Sequence, residues 1–289
     1  MANPSPLRYP GGKYKLSKYI QKIIYTKKLN KSIYVEPFCG GAAVAFDLLI
    51  NGHVKEIIIN DFDKSIYAFW YSVLNYTDEL CDMIKKTEIN IEEWEKQRVV
   101  QNNKESMNLL KLGFSTLFLN RTNRSGILKA GVIGGKAQNG AYKLDCRFNK
   151  QQIINKIKLI AKFKDRVYLY NMDTENLIEN VIKKINKKCF IFFDPPYYEK
   201  GASLYINFYK HKDHLNLSKS ISKIKNHSWI VTYDNNPEIR SMYKNFKKET
   251  YTLNYSVQKR YKGEEIIVYS NTISRVAKEE KININFYLN

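Results

Sequence analysis

Asp194-Pro195-Pro196-Tyr197 follows directly on five apolar residues, 189–193 (Cys-Phe-Ile-Phe-Phe). Two consecutive prolines lack N–H donors and fix φ, so they hold a rigid, extended turn with the Pro195 carbonyl facing outward. A carboxylate and a fixed carbonyl then face the same small volume. Two such acceptors suit an exocyclic –NH2 group: each takes one N–H, and the nitrogen lone pair is left directed at an electrophilic methyl. Tyr197 offers a flat face on which a base can stack, a contact worth about 1–3 kcal/mol. An ordinary strand-ending turn also uses Asp-Pro, so the tetrapeptide alone leaves both readings open.

Three further clusters carry chemistry. In Glu36-Pro37-Phe38-Cys39-Gly40-Gly41 the glycines let a ligand approach the backbone closely, although the spacing is not the G-x-G-x-x-G of a dinucleotide site. Asp61, about twenty residues further on, fits an acceptor for ribose hydroxyls and equally fits a helix N-cap. Gly11-Gly12-Lys13 before a helical stretch could hold a phosphate. Walker A spacing is absent and no Ser or Thr follows the lysine, which excludes a nucleotide triphosphatase.

These residues need elements to position them. Residues 14–29 set Leu16, Ile20, Ile23 and Ile24 on one helical face with lysines opposite. Residues 33–36 form a short strand broken by Pro37, followed by an apolar helical stretch over 42–50. A second strand, 56–60, ends in Asn60-Asp61 and leads to a helix over 64–74. This βαβ unit is of the kind that binds an adenosine moiety at the strands' carboxyl ends. Helical segments follow at 78–87 and 91–112, then a loop-rich stretch, 120–149, crowded with Gly126, Gly131, Gly134, Gly135 and Gly140. The strand–helix rhythm resumes with strand 167–171, helix 174–186, strand 189–193, helix 213–225, strand 228–233, helix 237–245 and strands near 249–257 and 265–270. The expected fold is α/β, a mostly parallel doubly wound sheet with a terminal antiparallel hairpin. The expected division is a catalytic core over 1–75 and 165–289 with an inserted subdomain over 76–164.

The 289 residues carry 48 Lys and Arg against 28 Asp and Glu, a net charge of +20, which makes a polyanion the first partner to consider. Nine of the 48 are Arg and 39 are Lys, so an AT-rich genome's codon bias accounts for part of the excess. The four cysteines form no C-x-x-C pair, which points to neither zinc nor a disulfide framework and fits a reduced cytosol. The N-terminus has no apolar signal region and no run of about 18 apolar residues occurs, so a cytoplasmic chain without membrane span or metal is expected.

Taken in order, Tyr9-Pro10-Gly11-Gly12-Lys13, Val35-Glu36-Pro37-Phe38-Cys39-Gly40-Gly41, Asn60-Asp61, Leu119-Asn120-Arg121-Thr122 and Asp194-Pro195-Pro196-Tyr197 resemble the motifs of the Dam-like DNA adenine-N6 methyltransferases, the D12 class or α group. The resemblance spans nearly the whole chain, and the recognition region between cofactor and catalytic motifs is the α-group order. It implies a Rossmann-like S-adenosylmethionine-dependent methyltransferase core acting on double-stranded DNA. Catalysis falls on Asp194, Pro195, Pro196 and Tyr197. Cofactor contacts fall on Tyr9, Lys13, Glu36, Phe38, Gly40, Asp61, Asp173 and Asp194, with Asp173 near the cofactor's adenine amino group. Two departures stand out: Thr174 follows Asp173 where an aromatic is common, and Ala42 replaces a frequent glycine.

By the same resemblance, DNA contacts are expected from Arg121, Asn123, Arg124, Lys136, Lys143 and Arg147, with 131–148 forming a hairpin around an Asn139-Gly140 turn. Arg124 stands where relatives often have an aromatic. Arginine can clamp guanine or pair with phosphate, and both roles stay open. Tyr205 to His214 mixes aromatic and basic residues, as suits a loop closing over an extruded adenine. His211 and His214 read better as loop or helix-capping residues than as catalysts. The expected mechanism is in-line attack by adenine N6 on the sulfonium methyl, driven by orientation and electrostatics without a strong base. Cys39 and Cys189 read as packing residues. The chain is expected to act as a monomer or weak dimer, beside a cognate restriction endonuclease in function. The alternatives are methylation of an RNA base or protein glutamine, which generally goes with Asn-Pro-Pro-Tyr, and a catalytically silent DNA-binding protein. Asp194 and the inserted hairpin disfavour the first, and Asp194, Tyr197 and Lys13 disfavour the second.

Overall fold

The computed structural model describes residues 3–9, 12–199, 209–257 and 259–273. Its chain divides into two compact units, one of residues 13–62 and 166–289 and one of residues 1–12 and 63–165.

The first unit holds a seven-stranded sheet. The strands are β1 (Ile33–Glu36), β2 (Glu56–Asn60), β3 (Val167–Tyr170), β4 (Cys189–Phe193), β5 (Ser228–Asp234), β6 (Lys247–Val257) and β7 (Lys259–Tyr269), in the order β3-β2-β1-β4-β5-β7-β6. β1 to β5 run parallel, while β7 is antiparallel to both β5 and β6. The central strand β4 is apolar and buried along its whole length, as a strand covered on both faces must be. Parallel neighbours need right-handed crossovers, and here α1 (Ser17–Thr26) precedes β1 while α2 (Ala43–Ile50) links β1 to β2. The strand order reverses between β1, which ends at Glu36, and β4, which ends at Phe193 directly before Asp194.

The second unit is helical. α3 (Lys64–Asn75), α4 (Thr77–Lys86), α5 (Ile91–Asn102), α6 (Leu109–Thr122) and α7 (Lys150–Ala161) follow one another, and four of the five start on a side-chain cap: Asp63, Asn90, Asn108 and Asn149. The expected helix over 91–112 is therefore two helices, because Asn108 accepts the Lys111 amide at 2.8 Å and starts a new one. α3 and α6 approach closely at Gly113. A Cβ there would stand 2.5 Å from the Ala68 carbonyl oxygen and would collide with Ser72 Oγ. α3, which the expected division placed in the core over 1–75, falls in the same compact unit as α6.

The stretch 131–148 is not a β-hairpin. Its only ladder contact is a single bridge between Asn123 and Val132, followed by turns and a short 3₁₀ segment, Leu144–Arg147. Gly134 and Gly135 take φ of +82° and +75° and curl the chain tightly. Gln138 then ties the curl, its Nε2 donating to the Ile133 carbonyl at 2.8 Å and its Oε1 accepting the Leu144 amide at 2.9 Å. Local side-chain bonds of this kind compete with a strand ladder.

Among the described residues, α8 (Thr174–Asn180), α9 (His211–Ser222) and α10 (Pro237–Met242) belong to the sheet-bearing unit. Substituting Gly113 by Ala should push α3 from α6 and lower stability by about 1–3 kcal/mol, as overpacking does. Urea denaturation checks this, and an unchanged midpoint would show that the two helices do not depend on the close approach.

Candidate active site

The carboxyl ends of β1 and β4 flank the reversal in strand order, the place where open α/β sheets bind ligands. Lys13, just ahead of α1, brings its ammonium there although its side chain is only 2% exposed. Nζ lies 3.0 Å from Asp194 Oδ1 and 3.3 Å from Oδ2, donates to the Tyr197 hydroxyl at 2.8 Å, and sits 3.7 Å from Glu265 Oε1. Burial opposes the charge, but two carboxylates outweigh it and hold the Lys13 pKa well above its ordinary value. Asp194 Oδ1 also accepts from Thr232 Oγ1 at 2.6 Å, so the carboxylate is fixed from two sides while its side chain keeps 19% exposure.

Hydrogen-bond direction around Tyr197 follows from donor chemistry. Lysine can only donate, so the Tyr197 hydroxyl accepts from Lys13 and gives its own proton to Glu265 Oε1. Tyr251 donates to the other oxygen, Glu265 Oε2. The Tyr197 ring is buried, with Lys13 Nζ 4.8 Å from its centroid. Beyond it, Asp234 accepts the amides of Tyr198 at 2.9 Å and Glu199 at 3.0 Å, anchoring the chain after the prolines.

At the ends of β1 and β2 the glycine turn is clasped by Asn60 and Asp61. The Asn60 side chain donates to the Pro37 carbonyl at 2.9 Å and to the Met172 carbonyl at 3.0 Å, and accepts the Met172 amide at 2.9 Å. Asp61 Oδ2 accepts the Gly40 amide at 2.9 Å, with Gly40 at φ +43°. Asp63, not Asp61, caps the following helix. Phe62, directly after Asp61, is 58% exposed, an aromatic that sequence reasoning passed over. Glu36 is buried beneath the turn: Oε1 accepts from Tyr34 at 2.9 Å and Oε2 has no hydrogen-bond partner. Burial pushes its carboxyl up to about 8, against the pull of the Tyr34 hydroxyl. Phe38 packs edge-on against Tyr209 with ring centroids 6.0 Å apart.

Asp173 is the N-cap of α8, accepting the Glu175 amide at 2.9 Å and the Asn176 amide at 3.4 Å, so one of its oxygens is committed to the helix. Tyr9 belongs to the helical unit and its carbonyl accepts the Gly12 amide at 3.1 Å; Pro10 and Gly11 lie outside the described residues. His214 is a buried packing residue, its Nδ1 2.9 Å from the Tyr233 hydroxyl and its pKa pushed down to about 4 by burial. His211 Nδ1 lies 2.8 Å from the Tyr198 hydroxyl at the start of α9. Cys39 and Cys189 are buried, with pKa values raised by burial, as packing residues should be.

The sequence model of the D12 class N6 adenine-specific DNA methyltransferases matches residues 9–258. The chain belongs to this family. It is also 27% identical over 204 residues to the Type II methyltransferase M.MjaIII of Methanocaldococcus jannaschii, covering 66% of this chain and 68% of that protein. Among solved structures, the rRNA methyltransferase aviRa from Streptomyces viridochromogenes aligns over 93% of this chain and 89% of its own at 8% identity and a TM-score of 0.38. A second structure of the same enzyme aligns over 92% and 88% at 9% identity and the same TM-score. This D12 methyltransferase is thus a DNA adenine methyltransferase by family, and the strand-end cluster of Lys13, Asp194 and Tyr197 lies within its matched stretch.

In the helical unit the expected DNA-contacting residues of the methyltransferase separate into two groups. Asn123 is fully buried: it accepts from Trp94 Nε1 at 2.7 Å and donates to the carbonyls of Ile127 at 3.1 Å and Leu128 at 2.9 Å. All its polar atoms build the loop, which removes it from base reading. Arg121 likewise spends its guanidinium on the carbonyls of Pro6 and Arg147, at 2.8 Å from Nε and 3.3 Å from NH1. Arg124, Lys136, Lys143 and Arg147 are exposed. Lys136 pairs with Glu95 at 2.8 Å, and Lys143 donates to the Gln138 carbonyl.

Sequence reasoning missed Arg8. Its backbone is clasped by Asn120, which accepts the Arg8 amide at 2.8 Å and donates to its carbonyl at 2.9 Å, while its NH1 is buried without a hydrogen-bond partner. Burial and the Arg147 charge lower the Arg8 pKa; burial and Arg8 lower that of Arg121 to about 10; burial and Arg121 lower that of Lys156. Among the described residues no carboxylate pairs with any of these four cations. Such a cluster lacks a countercharge, and a phosphate contact at Arg8 is a testable expectation. Replacing Arg8 by Ala should weaken binding equally for all duplexes and flatten the slope of log K against log salt by about 0.9. Binding measured across a salt series checks this; a loss confined to one target sequence would instead make Arg8 a base reader.

Proposed function

We propose that the chain transfers a methyl group from S-adenosylmethionine to N6 of an adenine in double-stranded DNA, in line and without a strong base. The observation that carries this reading is the carboxylate of Asp194 held by a buried ammonium 3.0 Å away at the switch point of the sheet. The residues at β1 and β2 fit the cofactor: the close backbone at Gly40, the Asp61 carboxylate and the exposed Phe62 ring suit a cationic, adenosine-bearing ligand, with the buried Glu36 carboxyl beneath the turn. Glu36, Phe38, Gly40, Asp61 and Phe62 would hold it, with Asp173 contributing its second oxygen. When bound, S-adenosylmethionine supplies the sulfonium methyl that is transferred.

The chain's own residues orient the amine. Asp194 accepts one N–H of the adenine amino group and the Pro195 carbonyl accepts the other, which aims the nitrogen lone pair. Fixing these acceptors before the reaction avoids reorganisation during it, and that preorganisation supplies most of the acceleration. Lys13 and Thr232 hold the carboxylate in place, and Tyr197 is held by its hydroxyl. A base inside a duplex cannot reach this point, so the target adenine is extruded. Residues 205–208 of the expected covering loop, 205–214, lie outside the described residues, and its last four, 211–214, form the first turn of α9 instead of a loop.

The helical unit would recognise DNA through Arg8, Arg124 and Arg147, with the lysine excess adding sequence-independent, salt-sensitive attraction. Likeness to a Type II methyltransferase supports a partnership in function with a restriction endonuclease. No helix among the described residues is long and apolar enough to cross a membrane, and a cytoplasmic site of action is consistent with the substrate. Replacing Asp194 by Ala should cut N6-methyladenine formation by at least about 10²–10³-fold, the scale of removing a preorganised polar partner. Incorporation of radiolabelled methyl into unmethylated genomic DNA, with a melting curve to confirm folding, checks this. Turnover near the unsubstituted rate would sink the assignment.

A further inference from the structure

Glu265 lies beyond residue 258, where the family match ends, on the terminal hairpin rather than on any motif-bearing loop. Its carboxylate is 2% exposed and meets three partners from three separate parts of the chain: Lys13 ahead of α1, Tyr197 after β4, and Tyr251 on β6. A buried carboxylate is costly unless its oxygens are satisfied, and here each oxygen receives a hydroxyl while an ammonium lies 3.7 Å away. Glu265 is the only carboxylate besides Asp194 that pairs with Lys13 among the described residues. We propose that Glu265 is a positioning residue for methyl transfer: it accepts the Tyr197 hydroxyl proton, leaves that oxygen's lone pair for Lys13, and so fixes Asp194 and Tyr197 together. This proposal rests on Asp194 and Tyr197 acting as described above.

Without the Glu265 acceptor, the Tyr197 hydroxyl has a proton with no buried destination, and its ring is no longer tied to the hairpin. Lys13 then has one carboxylate in place of two. The Asp194 carboxylate, which must present an oxygen to the amine, is drawn more strongly to the ammonium. β7 pairs with β5 through Asp234 opposite Glu265 and through Thr232 opposite Ile267. The strand that carries Glu265 is therefore in register with the strand that supplies Thr232 to Asp194. One hairpin position is thereby linked to both ends of the Asp194–Tyr197 segment.

The test uses the full chain with tritiated S-adenosylmethionine and unmethylated genomic DNA. Glu265→Gln keeps the shape, removes the charge and replaces one of the two oxygens that accept the Tyr197 and Tyr251 hydroxyls with a donor NH2; Tyr251→Phe removes only one hydroxyl from the carboxylate. Asp47→Asn is the control, since Asp47 is a second buried carboxylate, bonded to Ser17, Gln21 and Asn51. The single-turnover rate for Glu265→Gln should fall about tenfold or more, while KM for DNA and cofactor affinity by calorimetry stay within about twofold, because orientation is lost and binding is not. Tyr251→Phe should show a smaller fall in the same direction, and Asp47→Asn should leave the rate per folded molecule unchanged. A Glu265→Gln rate within about twofold of the unsubstituted chain would overturn the proposal, as would a rate loss that merely tracks the unfolded fraction in a melting curve. Asp194→Ala in the same assay separates the two readings. If it is inactive and Glu265→Gln is normal, only the role of Glu265 falls; if it is active, the proposed chemistry itself falls.

Discussion

Lys13 carries an ammonium into a place where almost none of it meets water, and the carboxylates of Asp194 and Glu265 are what make that tenable. A buried charge left unpaired costs several kcal/mol, so each partner is obligatory once the other two are present. The constraint reaches through the sheet-bearing unit because the three groups come from the start of the chain, the end of the central strand and the terminal hairpin. Folding these segments together fixes the Asp-Pro-Pro-Tyr turn, since Tyr197 cannot leave without releasing both Lys13 and Glu265. The sheet supplies the geometry in turn: its order reverses between β1 and β4, leaving a crevice between their carboxyl ends.

Around this charged centre the neighbouring polar groups divide the work of holding the backbone. Asn60 ties the glycine turn to the chain after β3, Asp61 takes the Gly40 amide, and Asp234 takes two amides beyond the prolines. Each loop that would face a ligand is thus anchored by a side chain on a strand end. Such anchoring favours a reaction that depends on orientation more than on proton abstraction. The helical unit uses the same device for another purpose, with Asn120 and Asn123 organising the loops that carry the exposed arginines.

Much of this was legible in the residues. The unbroken apolar run of β4 ending in Asp194, the turn after β1 and the final hairpin could be read from pattern alone. The D12 family followed from five motifs in order. Other features depend on tertiary contacts that leave no periodic trace. Asp61 fits a helix N-cap in sequence, yet its Oδ2 takes the Gly40 amide and Asp63 caps the helix. Asn139-Gly140 signals a tight hairpin, yet Gln138 and the left-handed glycines close the chain on itself first. Gly113 looks like a weak point in a helix and proves to be the contact between two. Glu264 and Glu265 are adjacent and identical in type; strand alternation sends one to each face, and sequence cannot tell which face holds a lysine.

The account stands on the charge of Lys13, which heteronuclear NMR of its Nζ observes directly across a pH titration. Held by Asp194 and Glu265, the ammonium should stay protonated well above the ordinary lysine value of 10.5, with its contribution to stability present below that value and lost as pH rises through the higher folded-state value. A Lys13 that titrates at or below 10.5 would contradict the buried, doubly paired ammonium on which the active-site geometry rests.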